Sequence, residues 1–284
     1  MIAPRSARRL DFLRARDADG RRTLDLTDVR WLDPLHLVGI AAHAHHAQQA
    51  GRRLRLVGLP ADQAGYAARM HLGRIVEQFG GEHRLPEVAE QDLHDSLLEL
   101  RPLRNPADVE VLTALVYRRV AGTDEQAAHA LHVALAEVGS NVCQHARSIG
   151  FMAAQTIAEH GVLRFAVADC GVGLLATLRG LGAGDDRQAL RLALSGQRQL
   201  DSPGRGYGLP RTRQLITQLD GEMLLASGVA ASRIDAQVRH ERRLDQSYPG
   251  TIFEGAVPVH PVASSANAGS SRIGVRQWTH EGRG

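Results

Sequence analysis

Two strand-like segments and an intervening helix dominate the hydrophobic pattern of the first 85 residues. Leu24 and Leu26 alternate with polar neighbours, as in a half-buried strand, and the same alternation recurs at Leu54 and Leu56. The stretch between them is rich in Ala and His and predicts a helix that Gly51 ends. The predicted elements are strand 23–26, helix 35–50, strand 54–57 and helices 61–70 and 71–79. The pattern predicts a small α/β unit over 1–85.

A second series of helices and strands follows from residue 106. Helical spacing of apolar residues predicts a helix over 108–120, and Thr123 with Gln126 forms a capping box that opens the next helix. Alternation then leads into Asp169, which places this residue at a strand end. The predicted elements are helices 108–120, 123–146, 187–195 and 210–219, a strand over 163–169, and a closing strand after Thr251. This pattern also predicts an α/β unit.

Proline and small residues mark the candidate boundaries between these units. Pro86, Pro102 and Pro106 punctuate an acidic stretch, so residues 86–105 are predicted to be a linker. The second unit then covers residues 106–260. Residues 261–284 are rich in Ser, Gly and Ala and are predicted to be a disordered tail.

Composition narrows the functional classes. The formal net charge is +3, and aromatic residues are only 4% of the 284 residues, so a nucleic-acid groove is not indicated. No apolar run approaches the ~20 residues that span a bilayer, and no signal peptide is evident. Cys143 and Cys170 lack zinc spacing and lie beside no evident base, which predicts a reducing cytoplasm and inert thiols. His43, His45 and His46 are expected to form a solvated helix face.

Polar residues recur every four positions on the predicted helix 123–146. Glu137, Asn141 and His145 therefore share one helix face. A carboxylate beside an amide suits hydrated Mg²⁺, which prefers oxygen ligands and keeps several waters. An ordinary polar helix face is the alternative for these three residues taken alone.

Glycine-rich turns follow this helix along the chain. Asp169 is followed by Gly171 and Gly173, which permit close approach of the backbone. Three further glycines precede the predicted helix 210–219, whose N-terminus favours phosphate; they are Gly204, Gly206 and Gly208. The spacing matches neither a P-loop nor a Rossmann fingerprint. Residues 174–203, between the two glycine motifs, form a long segment of the kind that is either a lid over a site or simply mobile.

Taken in order, these motifs resemble the ATP-binding domain of the GHKL superfamily, which includes histidine kinases and anti-sigma serine kinases. The resemblance implies a two-layer α/β sandwich over 106–260, with a mixed sheet and helices on one face. It implies that Asn141 binds Mg²⁺, that Glu137 is the base or positions a water, and that Asp169 binds the adenine amino group. The residues implied to bind ATP are Asn141, His145, Asp169, Gly171, Gly173, Gly204, Gly206, Gly208, Leu209 and Thr251.

The first unit is similar to STAS domains, the fold of anti-sigma-factor antagonists. The resemblance is carried by the segments 24–29 and 31–33, the helix after them and the strand that follows Gly51. Where STAS proteins usually carry two serines after an Asp, this chain has Pro34 and Leu35. Neither has a hydroxyl, so the phosphoacceptor role of those serines does not carry over.

These resemblances imply a cytoplasmic regulatory protein that binds Mg-ATP, of the anti-sigma serine-kinase or histidine-kinase-like class. A non-catalytic module, in which ATP gates the binding of a protein partner, is the alternative. An ATPase of the gyrase or MutL type comes third. Whether the protein is an enzyme stays open. The expected partner is a regulatory protein such as a sigma factor, without membrane or nucleic acid, and a homodimer stays open.

Overall fold

A computed structural model describes residue 10 and residues 14–88, 97–157, 161–195 and 208–259. Within these ranges the chain is an α/β protein with eight α-helices and two sheets. The strands are β1 (Ala15–Ala18), β2 (Arg21–Asp25), β3 (Arg53–Val57), β4 (Leu97–Leu103), β5 (Gly150–Ile157), β6 (Val162–Asp169), β7 (Glu222–Ile234) and β8 (Arg239–Pro258). The helices are α1 (Pro34–Gln49), α2 (Ala61–Arg69), α3 (Leu72–Gln78), α4 (Pro106–Ala121), α5 (Glu125–Asn141), α6 (Gly173–Leu178), α7 (Asp186–Ser195) and α8 (Gly208–Gln218).

The smaller sheet belongs to the first unit and is the mixed one. Its strands lie in the order β1-β2-β3, with β1 antiparallel and β3 parallel to β2. Leu24, Leu54 and Leu56 pack into the core with α1, as their alternation predicts. The predicted strands and helices of residues 21–78 are present with shifts of one or two residues at their ends.

The larger sheet has the order β4-β5-β6-β8-β7, and every described neighbouring pair in it is antiparallel. The mixed sheet predicted for residues 106–260 is therefore wrong. Strand direction depends on how the connections fold back, and β5–β6 and β7–β8 are each joined by a short connection that makes an antiparallel pair. The mixed sheet was implied by the resemblance alone and not by the hydrophobic pattern of the strands.

Both faces of the larger sheet are covered. Helices α4, α5 and α8 pack on one face, while α1 packs against β5, β6 and β8 on the other. All eight residues of β6 are buried as a result. The helices that residues 106–259 contribute thus lie on one face, and the Ala-rich helix α1 of the first unit, which the resemblance did not imply, covers the other.

Burial of α1 also overturns the expected solvated histidine face. His43 is 1% exposed and His45 is 7% exposed, and only His46 of the three reaches partial exposure. The Nδ1 atom of His43 accepts a hydrogen bond of 3.1 Å from the Arg22 Nε atom, and burial holds the His43 pKa well below its usual value. The His-rich stretch of α1 therefore lies in the buried contact between the two sheets and not on a hydrated surface.

The predicted linker 86–105 is partly a strand. Residues 97–103 form β4, which pairs with β5 at one edge of the larger sheet, whereas residues 89–96 lie outside the described residues. Pro102 is opposite Phe151 in this ladder, and an edge strand tolerates a proline because one side of it needs no partner. Pro102 was therefore only weak evidence for predicting a linker instead of a strand at these residues.

The start and end of α5 differ from their predicted positions. Asp124, not Thr123, is the N-cap, and its side chain accepts a 2.9 Å hydrogen bond from the Ala127 amide. The helix ends at Asn141 and continues as one π-helical turn, Val142–Ala146. The predicted tail 261–284 lies outside the described residues. Within the described chain, no helix is both long enough and apolar enough to cross a membrane.

Two tyrosine hydroxyls, of the buried Tyr248 and the half-buried Tyr66, offer a first test of this packing. The Tyr248 hydroxyl lies between α1 and the larger sheet and meets no hydrogen-bond partner among the described residues. The Tyr66 hydroxyl instead donates a 2.8 Å hydrogen bond to Gln155 Oε1. We expect Tyr248→Phe to leave the free energy of unfolding unchanged or raise it by up to about 1 kcal/mol, because no bond is lost. Tyr66→Phe should lower it by about 1 kcal/mol.

Urea unfolding of the two variants, followed by circular dichroism, makes the comparison direct, since each loses one hydroxyl from the same residue type. A larger loss for Tyr248→Phe than for Tyr66→Phe would contradict the packing described for Tyr248.

Candidate functional site

A cavity with a volume of about 500 Å³ lies on the sheet face that carries α5 and α8. Strands β6, β7 and β8 form its floor, and α5, α6, α7 and α8 form its walls. Eight of the predicted site residues line it: Glu137, Asn141, His145, Asp169, Gly173, Gly208, Leu209 and Thr251. Residues more than 100 positions apart along the sequence thus face one space.

Three predicted site residues do not line this cavity or cannot be placed. Gly204 and Gly206 lie outside the described residues. Gly171 is not on the cavity wall; a Cβ atom there would lie 1.9 Å from the Ala146 carbonyl oxygen. Its glycine is required because the turn after β6 packs against the π-helical turn that ends α5. Gly173 has φ of +72°, which favours glycine in the same turn.

Asp169 is the buried carboxylate of the cavity floor. It continues the inward face of β6 after Phe165 and Val167 and is 4% exposed. Its Oδ1 atom accepts a 2.8 Å hydrogen bond from the Gly171 amide, and the Thr251 backbone N–H also donates to the carboxylate. Burial raises the Asp169 pKa to about 6, against the opposing effect of these two hydrogen bonds.

The Gly-Thr turn in β8 is shaped to approach this carboxylate. Gly250 has φ of +126°, and a Cβ atom there would lie 2.7 Å from the Asp169 Oδ1 atom. Only glycine allows the turn to come this close, which brings the Thr251 amide into reach of the carboxylate. The turn and the aspartate form one unit, which the sequence patterns around Asp169 and Thr251 did not predict.

The raised pKa of Asp169 makes stability depend on pH. Its folded value of about 6 exceeds the unfolded value of about 3.9, so the folded state binds the proton more tightly between the two. Stability from this group is therefore full below pH ~4 and is lost as the pH rises through about 6. The contribution of Asp169 to the unfolding free energy falls by about 2–3 kcal/mol over this range.

Asn does not titrate, so the difference in stability between wild type and Asp169→Asn separates the contribution of Asp169 from those of other titratable groups. Between pH ~4 and pH ~7.5, we expect the unfolding free energy of the variant, measured in urea, to rise by about 2–3 kcal/mol relative to that of the wild type. Parallel pH profiles for the two proteins would show that Asp169 is not buried as described.

Helix α5 supplies the polar wall opposite the floor. Glu137 and Asn141 face the cavity from its last two turns, and His145 faces it from the π-helical turn. A Cβ atom on Gly208 would lie 2.5 Å from the Glu137 Oε2 atom, so the start of α8 packs directly on this carboxylate. The four-residue spacing predicted this shared face, but nothing in the sequence signalled the π-helical turn, a feature frequent at functional sites.

The oxygen atoms on this wall are of the kind that hard divalent cations such as Mg²⁺ prefer. No cluster of three or more His, Cys, Asp or Glu side chains able to hold a metal occurs among the described residues. Glu137 and Asn141 together offer carboxylate and amide oxygen atoms, the donor set with which Mg²⁺ keeps most of its waters or shares phosphate oxygens. These two residues could therefore hold a hydrated magnesium ion, but only with further ligands that the described side chains do not supply.

The segment predicted as a lid is largely helical and packed. Helices α6 and α7 occupy much of residues 173–195, and Ala189, Leu190 and Leu194 are fully buried. Leu192 and Ala193 contribute to the cavity wall, which the sequence did not indicate. Residues 196–203 of the predicted lid lie outside the described residues.

Ion pairs fix α7 to the β7–β8 hairpin. Glu241, on β8, lies 3.0 Å from Arg187, 2.8 Å from Arg191 and 2.7 Å from Arg239. Hydrogen bonding by Arg191, followed by that of Arg187, lowers the Glu241 pKa to about 2. The wall that α7 contributes is thus attached to the sheet by charge as well as by apolar packing.

Cys170 lies behind the cavity, on the α1 side of the sheet. Its Sγ atom is 3.4 Å from His45 Nδ1, and burial raises its pKa to about 11. A thiol that stays protonated at neutral pH is a poor nucleophile. Burial raises the Cys143 pKa as well.

No family model matches this chain, and comparison with curated proteins gives no match either. The assignment of the site accordingly depends on the residues and geometry described above.

Proposed function

We propose that the cavity binds Mg-ATP and that the chain is a regulatory protein of the GHKL type. The observation that carries this proposal is the position of Asp169, a buried carboxylate in the floor of a cavity of about 500 Å³. That volume lies in the ~300–1,000 Å³ range of small-molecule sites. Glu137 and Asn141 face the same space from α5.

The floor of the cavity suits an adenine ring. The Asp169 carboxylate is an acceptor for an exocyclic amine, since hydrogen bonds to a charged acceptor are stronger than neutral ones. Leu174, Leu225 and Phe253 supply apolar surface around it for the faces of a planar base. Thr251 adds a side-chain hydroxyl at the same end of the cavity.

The cavity wall formed by α8 suits the phosphates. The 11-residue helix α8 begins at Gly208 on the cavity wall, and Arg211 lies in its first turn. Backbone N–H groups and the helix dipole favour anions at such an N-terminus. Bound Mg²⁺ supplies charge neutralisation of the phosphate oxygens there. Asn141 would hold the ion, and Glu137 would accept a proton from an attacking hydroxyl or water.

Phosphoryl transfer to a partner's hydroxyl is the enzymatic form of this proposal. The N-terminus of α1 carries Pro34 and Leu35 and is capped by Asp33, so it presents no hydroxyl at the positions of the STAS serines. This observation favours a partner protein, such as a sigma-factor regulator, over the first unit as the target. It also suits the second candidate, a non-catalytic module that binds a partner in a nucleotide-dependent way.

Calorimetric titration of the full chain tests the proposal. We expect ATP and ADP to bind, with Mg²⁺ strengthening the triphosphate, and GTP to bind far more weakly. Guanine presents a carbonyl oxygen where adenine has its amine, and two acceptors facing each other without a proton leave a buried group unpaired. Equal affinity for ATP and GTP, or no nucleotide binding at all, would contradict the proposal.

A further inference from the structure

Strand β7 has a bulge where it passes the cavity. The register with β8 shifts on either side of Gly228, between Ser227 and Ala230. Gly228 has φ of +57°, so the chain leaves the extended conformation at this point. We call residues 227–229 the β7 bulge. Bulges re-aim the side chains and amides around them, which makes the local contacts informative.

Ser227 bonds two segments that frame the cavity. It is 3% exposed, and its Oγ atom donates a 2.7 Å hydrogen bond to the Gly250 carbonyl oxygen. The same atom accepts a 2.9 Å hydrogen bond from the Leu174 amide, in the first turn of α6. One hydroxyl therefore fixes the Gly-Thr turn beside Asp169 and the start of α6 relative to each other.

The next residues of the bulge bond the start of α7. The Val229 amide donates a 2.8 Å hydrogen bond to Asp186 Oδ2, at the first position of that helix. A Cβ atom on Gly228 would lie 2.1 Å from the same oxygen atom, so glycine is required for this approach. Leu174 of α6 and Leu192 of α7 both line the cavity. Two walls of the site are thus hydrogen-bonded to Ser227 and Val229, which lie on either side of Gly228 in one strand.

We propose that the β7 bulge positions the α6 and α7 walls of the cavity together, with Ser227 and Asp186 as its positioning residues. Neither residue is among those that line the cavity, and each acts through a helix that does line it. The effect on nucleotide affinity rests on the function proposed above, whereas the coupling between the two walls is a property of the free protein.

The first test uses matched serine variants of β7. Ser227→Ala should weaken ATP and ADP by the same factor, about tenfold, because a buried hydroxyl with two bonds is lost and both ligands use the same adenine end. Ser232 is also fully buried on β7, but its hydroxyl meets no hydrogen-bond partner among the described residues. Ser232→Ala should leave both affinities unchanged. Equal affinities in the two variants would overturn the role of Ser227.

The second test addresses Asp186 in the same way. Asp186→Ala should weaken nucleotide binding, and Asp186→Asn should restore most of it, because an amide oxygen still accepts from the Val229 N–H. The double variant Ser227→Ala with Asp186→Ala should lower nucleotide affinity by a smaller factor than the product of the two single-variant factors, since both residues act through one bulge. Fully multiplicative losses would overturn the shared element.

Hydrogen exchange in the ligand-free protein separates this proposal from the proposed function. Ser227→Ala should speed exchange at the Leu174 amide, which loses its acceptor, and also at the Val229 amide, which the relaxed bulge holds less firmly. Ser232→Ala should change neither. If wild type binds no nucleotide while these exchange rates change together, the proposed function fails and the bulge proposal stands. Faster exchange at Leu174 alone would overturn the bulge proposal.

Discussion

Asp169→Asn is expected to weaken ATP binding by about 100-fold, because a hydrogen bond to a charged acceptor is worth about 1.5–3 kcal/mol. The substituted amide has one oxygen, and the backbone N–H groups of Gly171 and Thr251 already claim acceptors on this side chain. The variant must therefore direct its NH₂ group either at a backbone donor or at the adenine amine. Calorimetry with ATP measures the loss.

Inosine triphosphate, which lacks the amine, identifies the contact that is lost. Wild type should prefer ATP to this analogue, and Asp169→Asn should abolish the preference. Asp220→Asn makes the same chemical change at an exposed position with φ of +53°, a conformation that Asn tolerates. It should leave both affinities unchanged. A variant at 169 that keeps the wild-type preference for ATP would refute the adenine assignment.

Glu137→Gln is expected to separate binding from chemistry. If the chain transfers or hydrolyses the γ-phosphate, loss of the base should lower turnover by about 10²–10⁴-fold, with ATP affinity within a few-fold of wild type. The amide keeps the volume of the carboxylate against Gly208, so the start of α8 need not move. Single-turnover release or transfer of radiolabelled phosphate measures the step.

Glu125→Gln is the control for this change, since Glu125 is an exposed residue on the same helix α5. It should show wild-type turnover. Equal turnover in Glu137→Gln and wild type would exclude Glu137 as the base. Nucleotide binding without measurable turnover in the wild type would support the non-catalytic module.

Short-range patterns predicted much of what surrounds the cavity. Glu137 and Asn141 were placed on one face because helical periodicity is local, and Asp169 was placed at a strand end because alternation stops there. The eight predicted residues that line one cavity come from such patterns and from motif order. ATP binding itself stays a prediction.

Features that depend on pairing between distant segments were missed. The antiparallel order of the larger sheet, the strand within 97–103 and the second packing face of α1 all arise from contacts between residues far apart in sequence. The contacts of Ser227 and Asp186 belong to the same class, because a bulge exists only relative to the partner strand. A serine on a strand gives no sequence signal of this kind.

Helix α1 is part of a core shared by both sheets, and this has a consequence for the stability of the protein. It contributes apolar residues to both sheets, so neither sheet can melt without exposing the side of α1 that it covered. We therefore expect the two units to unfold as one cooperative body and not as separable modules. A ligand bound only by the native state raises its unfolding free energy by RT ln(1 + [L]/Kd). Because the two units unfold together, a bound nucleotide would also stabilise the first unit, which it does not touch. Destabilising substitutions around Leu24 or His43 would in turn lower the fraction of molecules that are folded and able to bind, while leaving the cavity itself intact.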